Sequence, residues 1–202
     1  MKTGFEILLI FISYLLGSIP FGYIFTKRFV GINIREYGSG NTGSTNVLRV
    51  AGPKVALITQ LCDMMKGLLP VAVVIILESV GVYTFDDFFI YAVGIATILG
   101  HNFSVFLNFK GGKGVNTTLG ASLFLSPYCV LISVLVYFLV KRFSGYVSLG
   151  SIFLAITLSL TGLIIHNISY LSYYLLVCSI LIIIMHIPNL KRLLNGTENR
   201  SK

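Results

Sequence analysis

Charge is what this sequence has least of. Only 11% of its 202 residues are Asp, Glu, Lys or Arg, against about 25% in a soluble domain. Hydrophobic residues make up 55% and the mean hydropathy is +0.89. So small a polar supply cannot cover an aqueous surface, which excludes a soluble globular domain. The same numbers exclude disorder, since unfolded segments are poor in aliphatic residues. Cysteine is scarce as well. Cys62, Cys129 and Cys178 lie far apart in apolar stretches without Cys-x-x-Cys or Cys/His spacing. They read as small buried hydrophobes, with no structural zinc and no disulfide framework. Internal repeats, low-complexity runs and linkers are also missing, so residues 1–202 are expected to form one domain.

What is present is a series of apolar runs at residues 5–25, 55–82, 88–106, 119–140, 149–165 and 171–187. A helix needs about 20 apolar residues to cross the hydrocarbon core, so these predict an all-α, polytopic membrane protein. A cleaved signal peptide does not fit the first run, which continues into Gly17-Ser-Ile-Pro-Phe-Gly22 without a small-x-small cleavage site. The net charge of +8 is unevenly placed. Lys27, Arg28, Arg35, Arg49 and Lys54 flank one loop and Lys110 and Lys113 another. Lys191, Arg192, Arg200 and Lys202 mark the C-terminus. The segment at 78–87 is acidic, with Glu78, Asp86 and Asp87. Basic loops stay cytoplasmic, so the N-terminus is expected outside and the C-terminus inside. Lys141 and Arg142 agree only if the run at 119–140 breaks at Ser126-Pro127 into helices near 115–125 and 128–140. That gives about seven helices, some short or broken. The tail from about residue 195 is polar and expected to be loose.

Three polar segments exceed what a plain bundle needs. The first is Gly38-Ser-Gly-Asn-Thr-Gly-Ser-Thr-Asn46-Val-Leu-Arg49. Its small residues let backbone N–H groups approach an anion, and Arg49 adds a planar fork suited to phosphate; a flexible loop is the plain alternative. The second holds Gly100-His-Asn-Phe-Ser and Lys110-Gly-Gly-Lys113-Gly-Val115. Here Gly-Gly-Lys-Gly opens a helix, where unpaired N–H groups and the dipole favour an anion. It lacks the Gly-x-x-x-x-Gly-Lys-[Ser/Thr] spacing of a nucleotide loop. Topology lysines in a turn explain Lys110, but not the three glycines around Lys113. The third is His186-Ile-Pro-Asn189-Leu-Lys-Arg192-Leu-Leu-Asn-Gly-Thr-Glu198. A lone boundary histidine is usually a satisfied interfacial residue, a reading that suits His101 and His166 more fully than His186. Asp63 and Lys66, one helical turn apart in an apolar run, read equally as a structural ion pair or as support for a site. No carboxylate pair, metal cluster or Ser-His-Asp arrangement accompanies these segments. Their chemistry is the positioning and charge stabilisation of phosphate-bearing substrates.

Taken together, these residues resemble the bacterial acyl-phosphate:glycerol-3-phosphate acyltransferase family (PlsY). The resemblance runs in order from residue 17 to 198 and includes Asp63-x-x-Lys66-Gly67 and Ser148-Leu-x-Ser151. It departs from the family at Phe143-Ser-Gly, before Tyr146, and at Ile187-Pro188. The resemblance implies a seven-helix membrane enzyme with its motifs on the cytoplasmic face of the bacterial plasma membrane. It implies transfer of a fatty acyl group from acyl phosphate to the sn-1 hydroxyl of glycerol 3-phosphate, giving lysophosphatidate and phosphate. This is the first acylation of phospholipid synthesis, with an acyl-phosphate-forming enzyme working alongside. Ser39, Arg49, Lys113, Ser151, His186 and Asn189 are its implied catalytic residues. Thr45, Asn46, Gly111, Gly112, Gly114, Val115 and Ser148 are its implied substrate contacts. Membrane lipid is the further partner, and no cofactor, metal or nucleic acid is implied. The rival class is a transporter or channel for a phosphorylated solute, which would show an inverted repeat or paired broken helices; the sequence has neither.

Overall fold

The computed structural model describes residues 2–201; Lys202, counted above in the C-terminal basic cluster, lies outside them. No strand occurs among the described residues. The helices are α1 (Lys2–Ser18), α2 (Phe21–Val30), α3 (Ser44–Ser79), α4 (Phe89–Asn102), α5 (Val115–Ser122), α6 (Pro127–Ser144), α7 (Val147–His166), α8 (Tyr170–Met185) and α9 (Ile187–Leu194). Short 3₁₀ turns at Ile34–Glu36 and Val105–Leu107 complete them. Five helical stretches are long and apolar enough to cross a membrane, and α8 with α9, bent by 52°, would make a sixth. Large apolar side chains such as Phe11, Leu135, Leu160 and Ile164 face outward, which suits a hydrocarbon solvent. Several hydroxyl groups inside the apolar helices are satisfied locally. Ser13, Thr59, Thr97, Ser133 and Ser179 each donate to the carbonyl four residues earlier.

The chain divides into two compact units, Met1–Ala121 and Ser122–Lys202. In the first, α1 packs along α4, α2 along α3, and α3 along α4. Backbone meets backbone where α1 crosses α4: a Cβ on Gly17 would overlap the Thr97 carbonyl, and one on Gly100 the Tyr14 carbonyl. The first apolar run is not one straight helix, because Pro20 lacks a donor and the chain breaks at Ile19-Pro20. A second break lies inside α3. Gly52 stands at φ 83°, ψ 175° immediately before Pro53, which splits the element into a short helix at 44–51 and a long one at 53–79. The residues of α5 within this unit are seated on α3, with Thr117 against Gly67 and Gly120 against Met64.

In the second unit α6 and α7 form an antiparallel pair and α8 packs on α7. The expected break at Ser126-Pro127 is present, with Pro127 opening α6 at a position whose N–H needs no intrahelical partner. Ser126 Oγ lies 2.8 Å from His166 Nε2, joining the start of α6 to the end of α7. Cys129 and Cys178 are buried among the apolar side chains, as small hydrophobes. The helix α8 opens with a reciprocal Ser169–Ser172 capping box and turns into α9 at His186.

Candidate active site

The first motif wraps around one amide. Asn46 sits on the first turn of α3, 2% exposed. Its Oδ1 accepts from the Ser39 N–H at 2.9 Å, and its Nδ2 donates to the Tyr37 and Asn41 carbonyls at 3.0 and 2.9 Å. The Ile34 carbonyl lies at the longer 3.4 Å. Both hydrogens of the amide are therefore used within the loop, so Asn46 shapes the segment that carries Ser39. One turn on, Arg49 is exposed and no described residue pairs with its guanidinium. Ser39 is exposed and Thr45 half-buried beside it.

The second motif is anchored to the end of α4. Tyr14 donates to the Phe103 carbonyl at 2.7 Å and Ser104 to the Ser18 carbonyl at 2.5 Å. The Gly111 N–H donates to the Asn102 carbonyl at 3.0 Å and the Gly112 N–H to the His101 carbonyl at 2.9 Å. Those two N–H groups thus belong to the protein. Of the N–H groups expected to form a cradle at 111–115, Gly111 and Gly112 are bonded within the protein, and the first turn of α5 precedes the helix's first such bond, from the Thr118 N–H to the Gly114 carbonyl. The glycines have a packing reason that the sequence did not reveal. A Cβ on Gly111 would overlap the His101 carbonyl, and one on Gly112 the His101 imidazole. Gly114 stands at φ 81° with Asn102 Oδ1 2.7 Å from the site of its Cβ. Lys113 is half-buried within this turn. Asn116 Nδ2 donates to Ser44 Oγ at 3.1 Å, which ties the start of α5 to the start of α3. The first and second motifs are therefore neighbours, each at a helix N-terminus.

In the second unit Ser148 and Ser151 lie buried one turn apart on α7. Ser151 Oγ donates to the Val147 carbonyl at 3.0 Å. His186, at the α8–α9 junction, is 3% exposed, with Nδ1 2.8 Å from the Ile182 carbonyl. A carbonyl only accepts, so Nδ1 carries the hydrogen and Nε2 is the basic nitrogen of the neutral ring. Asn189 is buried too, and its backbone N–H bonds the His186 carbonyl. Its Nδ2 donates to Glu198 Oε1 and Arg192 Nε to Glu198 Oε2, both at 2.7 Å. Burial pushes the Glu198 carboxyl up, but the hydrogen bonds from Asn189 and Arg192 outweigh it and hold the group below its usual value. Ser148, its hydroxyl without a partner at bonding distance, lies close to the same carboxylate.

The tail was expected to be loose and is not. Beyond Glu198, the Ser201 N–H bonds the Gly145 carbonyl at 2.7 Å and Arg200 lies over the Tyr146 ring, 5.6 Å from its centroid. Reading from sequence gave His101 no role beyond that of an interfacial histidine; it is 7% exposed, beside Asp63. Its place in Gly100-His-Asn, directly before the glycine loop, was the available signal.

Comparison with known proteins covers nearly the whole chain. The family model described as glycerol-3-phosphate acyltransferase matches residues 7–196. The glycerol-3-phosphate acyltransferase of Clostridium acetobutylicum is 42% identical over 197 residues, covering 95% of this chain and 98% of the relative. Glycerol-3-phosphate acyltransferase 2 of Bacillus anthracis is 44% identical over 195 residues, covering 96% and 98%. A crystal structure of PlsY, an integral membrane glycerol 3-phosphate acyltransferase, in its glycerol 3-phosphate form superposes with a TM-score of 0.88. It is 38% identical and covers 98% of this chain and 96% of its own. The lysophosphatidic acid form gives 0.85 at 37% identity, covering 96% and 94%.

Proposed function

Because this chain belongs to the glycerol-3-phosphate acyltransferase family, we propose that it acylates the sn-1 hydroxyl of glycerol 3-phosphate with acyl phosphate as donor. The products are lysophosphatidate and inorganic phosphate. The observation that carries this reading is the Asn116–Ser44 contact, which sets two glycine-rich helix N-termini side by side with Arg49 unpaired. Two adjacent anion sites suit a reaction between two phosphate-bearing molecules. An acyl phosphate is already activated, so no covalent acyl-enzyme is needed. The hydroxyl oxygen attacks the acyl carbon, the C–O bond to phosphate breaks, and phosphate leaves with the electron pair. The protein's task is proximity and stabilisation of the departing charge.

In this reading the first turn of α5 and Lys113 hold the donor phosphate. Arg49, Ser39, Thr45, Ser148, Ser151, His186 and Asn189 serve glycerol 3-phosphate and the alignment of both substrates. Asn46 serves through the loop it shapes. Ser151 now donates to its own helix, so its hydroxyl turns when it meets an anion. The hydroxyl proton passes to the acceptor's own phosphate or to His186 Nε2. In this reading the N-terminus lies outside and the motifs face the cytoplasm at the plasma membrane, which the basic loops support, and an enzyme that forms acyl phosphate works alongside.

Purified protein in detergent, given acyl phosphate and glycerol 3-phosphate, is expected to form lysophosphatidate and release one phosphate per turnover. Product formed only from a thioester donor would overturn the donor assignment. Labelling of a cysteine introduced at Asn116 by an impermeant reagent outside intact cells would overturn the topology.

A further inference from the structure

Three ionisable side chains are buried together inside the first unit. Asp63 and Lys66 pair at 3.0 Å with side chains 3% and 4% exposed. Lys66 Nζ also donates at 2.9 Å to the Ile19 carbonyl, at the break that Pro20 makes between α1 and α2. His101, on the last turn of α4, turns Nδ1 toward the same Asp63 oxygen at 3.6 Å. That is too long for a hydrogen bond, but it sets the edge of the imidazole against the carboxylate. The opposite edge of the imidazole carries Nε2, and it faces Gly112, where any side chain would overlap it. With Ser18, Thr42, Ser104 and Gly111, these groups line a small cavity beside the glycine loop. The imidazole is thus held between a carboxylate and the loop, and the His101 carbonyl receives the Gly112 N–H on the same side of the chain.

A buried ion pair is weak support for stability, because apolar residues of the same size would fill an apolar span at least as well. What the pair does supply is a fixed direction. Asp63 offers one oxygen to two cations or donors on different elements, and Lys66 ties that carboxylate to the break at Ile19. We propose that Asp63 and Lys66 are positioning residues for the anion loop at 111–115, acting through His101. The pair fixes the imidazole, and the imidazole fixes how far the loop settles on α4, which sets the height of the α5 N-terminus. This rests on the reading of that loop as the donor-phosphate cradle.

The test removes both charges together, in Asp63→Leu/Lys66→Met, so that no lone buried ion remains. Hydrogen exchange of residues 109–114 is expected to rise about tenfold or more while exchange in α7 stays unchanged. The KM for acyl phosphate is expected to rise about tenfold with kcat little altered. Wild-type exchange at 109–114 in a folded double variant would overturn the proposal. Raised exchange with an unchanged donor KM would support the positioning role and instead overturn the assignment of the loop to donor phosphate. Should the double variant fail to insert, His101→Gln carries the same test. It removes the ring between Asp63 and Gly112 without altering the ion pair, and unchanged loop exchange there would overturn the proposal equally.

Discussion

In Met1–Ala121 the direct hydrogen-bond partners of the candidate site loops are neutral groups, with the Asp63–Lys66 pair one layer beneath, whereas in Ser122–Lys202 the polar side chains are tied directly by an ion pair. The Asn46 amide and the backbone carbonyls of His101 and Asn102 hold the first two motifs. Arg49, on the first helix of α3, is exposed, and no described residue pairs with it. In the other unit Glu198 already engages Asn189 and Arg192. A loop held by neutral groups leaves its cation uncompensated and ready for an anion from outside. A loop held by a carboxylate is electrostatically complete and depends on pH. Substitutions in the two units should therefore fail differently.

The largest effect is expected at Asn46. Asn46→Asp keeps an oxygen for the Ser39 N–H but turns a second oxygen toward the Tyr37 and Asn41 carbonyls. An uncompensated buried charge costs about 3–5 kcal/mol. Activity should be lost and the thermal unfolding midpoint in detergent should fall. A folded and active variant would show that the loop does not depend on its neutral hub. Next come the glycines. Gly111→Ala drives a Cβ into the His101 carbonyl, and overpacking of this kind costs about 1–3 kcal/mol. Steady-state kinetics should show a raised KM for acyl phosphate and weaker inhibition by inorganic phosphate. Loss of acceptor affinity with a normal donor KM would reverse the subsite assignment.

Arg49 sharpens the comparison from the other side. Arg49→Lys keeps the charge but not the planar fork, and loss of a charge-assisted bond is worth about 1.5–3 kcal/mol, or roughly ten- to a hundredfold in kcat/KM. It should be nearly as damaging as Arg49→Ala, with no change in stability, since no described residue pairs with this exposed side chain. Unaltered kinetics would reduce Arg49 to a topology signal.

The helices and the break at Ser126-Pro127 were legible because hydrocarbon solvent leaves few choices. Apolar length and proline position nearly dictate the elements. The motifs pointed to the family because glycine, lysine and arginine in such order have few other uses. What was not legible was the division of labour inside them. Gly111 and Gly112 are also small because α4 passes beneath them, and Asn46 points into its own loop, facts that depend on partners far away in sequence. The tail shows the same limit. Polar composition predicts solvation, but Glu198 finds Asn189 and Arg192 only because α9 bends away from α8.

The smallest effect, and the one that separates the two units by pH, belongs to Glu198. Its carboxyl is held below the ordinary 4.5 in the folded protein, chiefly by Asn189 and Arg192 working against burial. A lowered folded value means that the ionised group favours the folded state. That contribution is complete above the ordinary value and disappears as pH falls through the lower folded one. Arg192 is 37% exposed, so solvent screens the pair and about 1 kcal/mol is at stake. Hydrogen exchange of residues 195–201 should show the tail protected at pH 7 and at pH 5, and increasingly open as pH drops well below 4.5. Glu198→Gln should exchange faster across the whole range, without that acid step. The loops at 37–43 and 109–114, whose direct hydrogen-bond partners are neutral, should show no acid step from Glu198. If the tail were equally protected under acid conditions, the Ser201–Gly145 and Arg200–Tyr146 contacts would be what holds it. The tail would then be held without its carboxylate, and the contrast between the units would be lost.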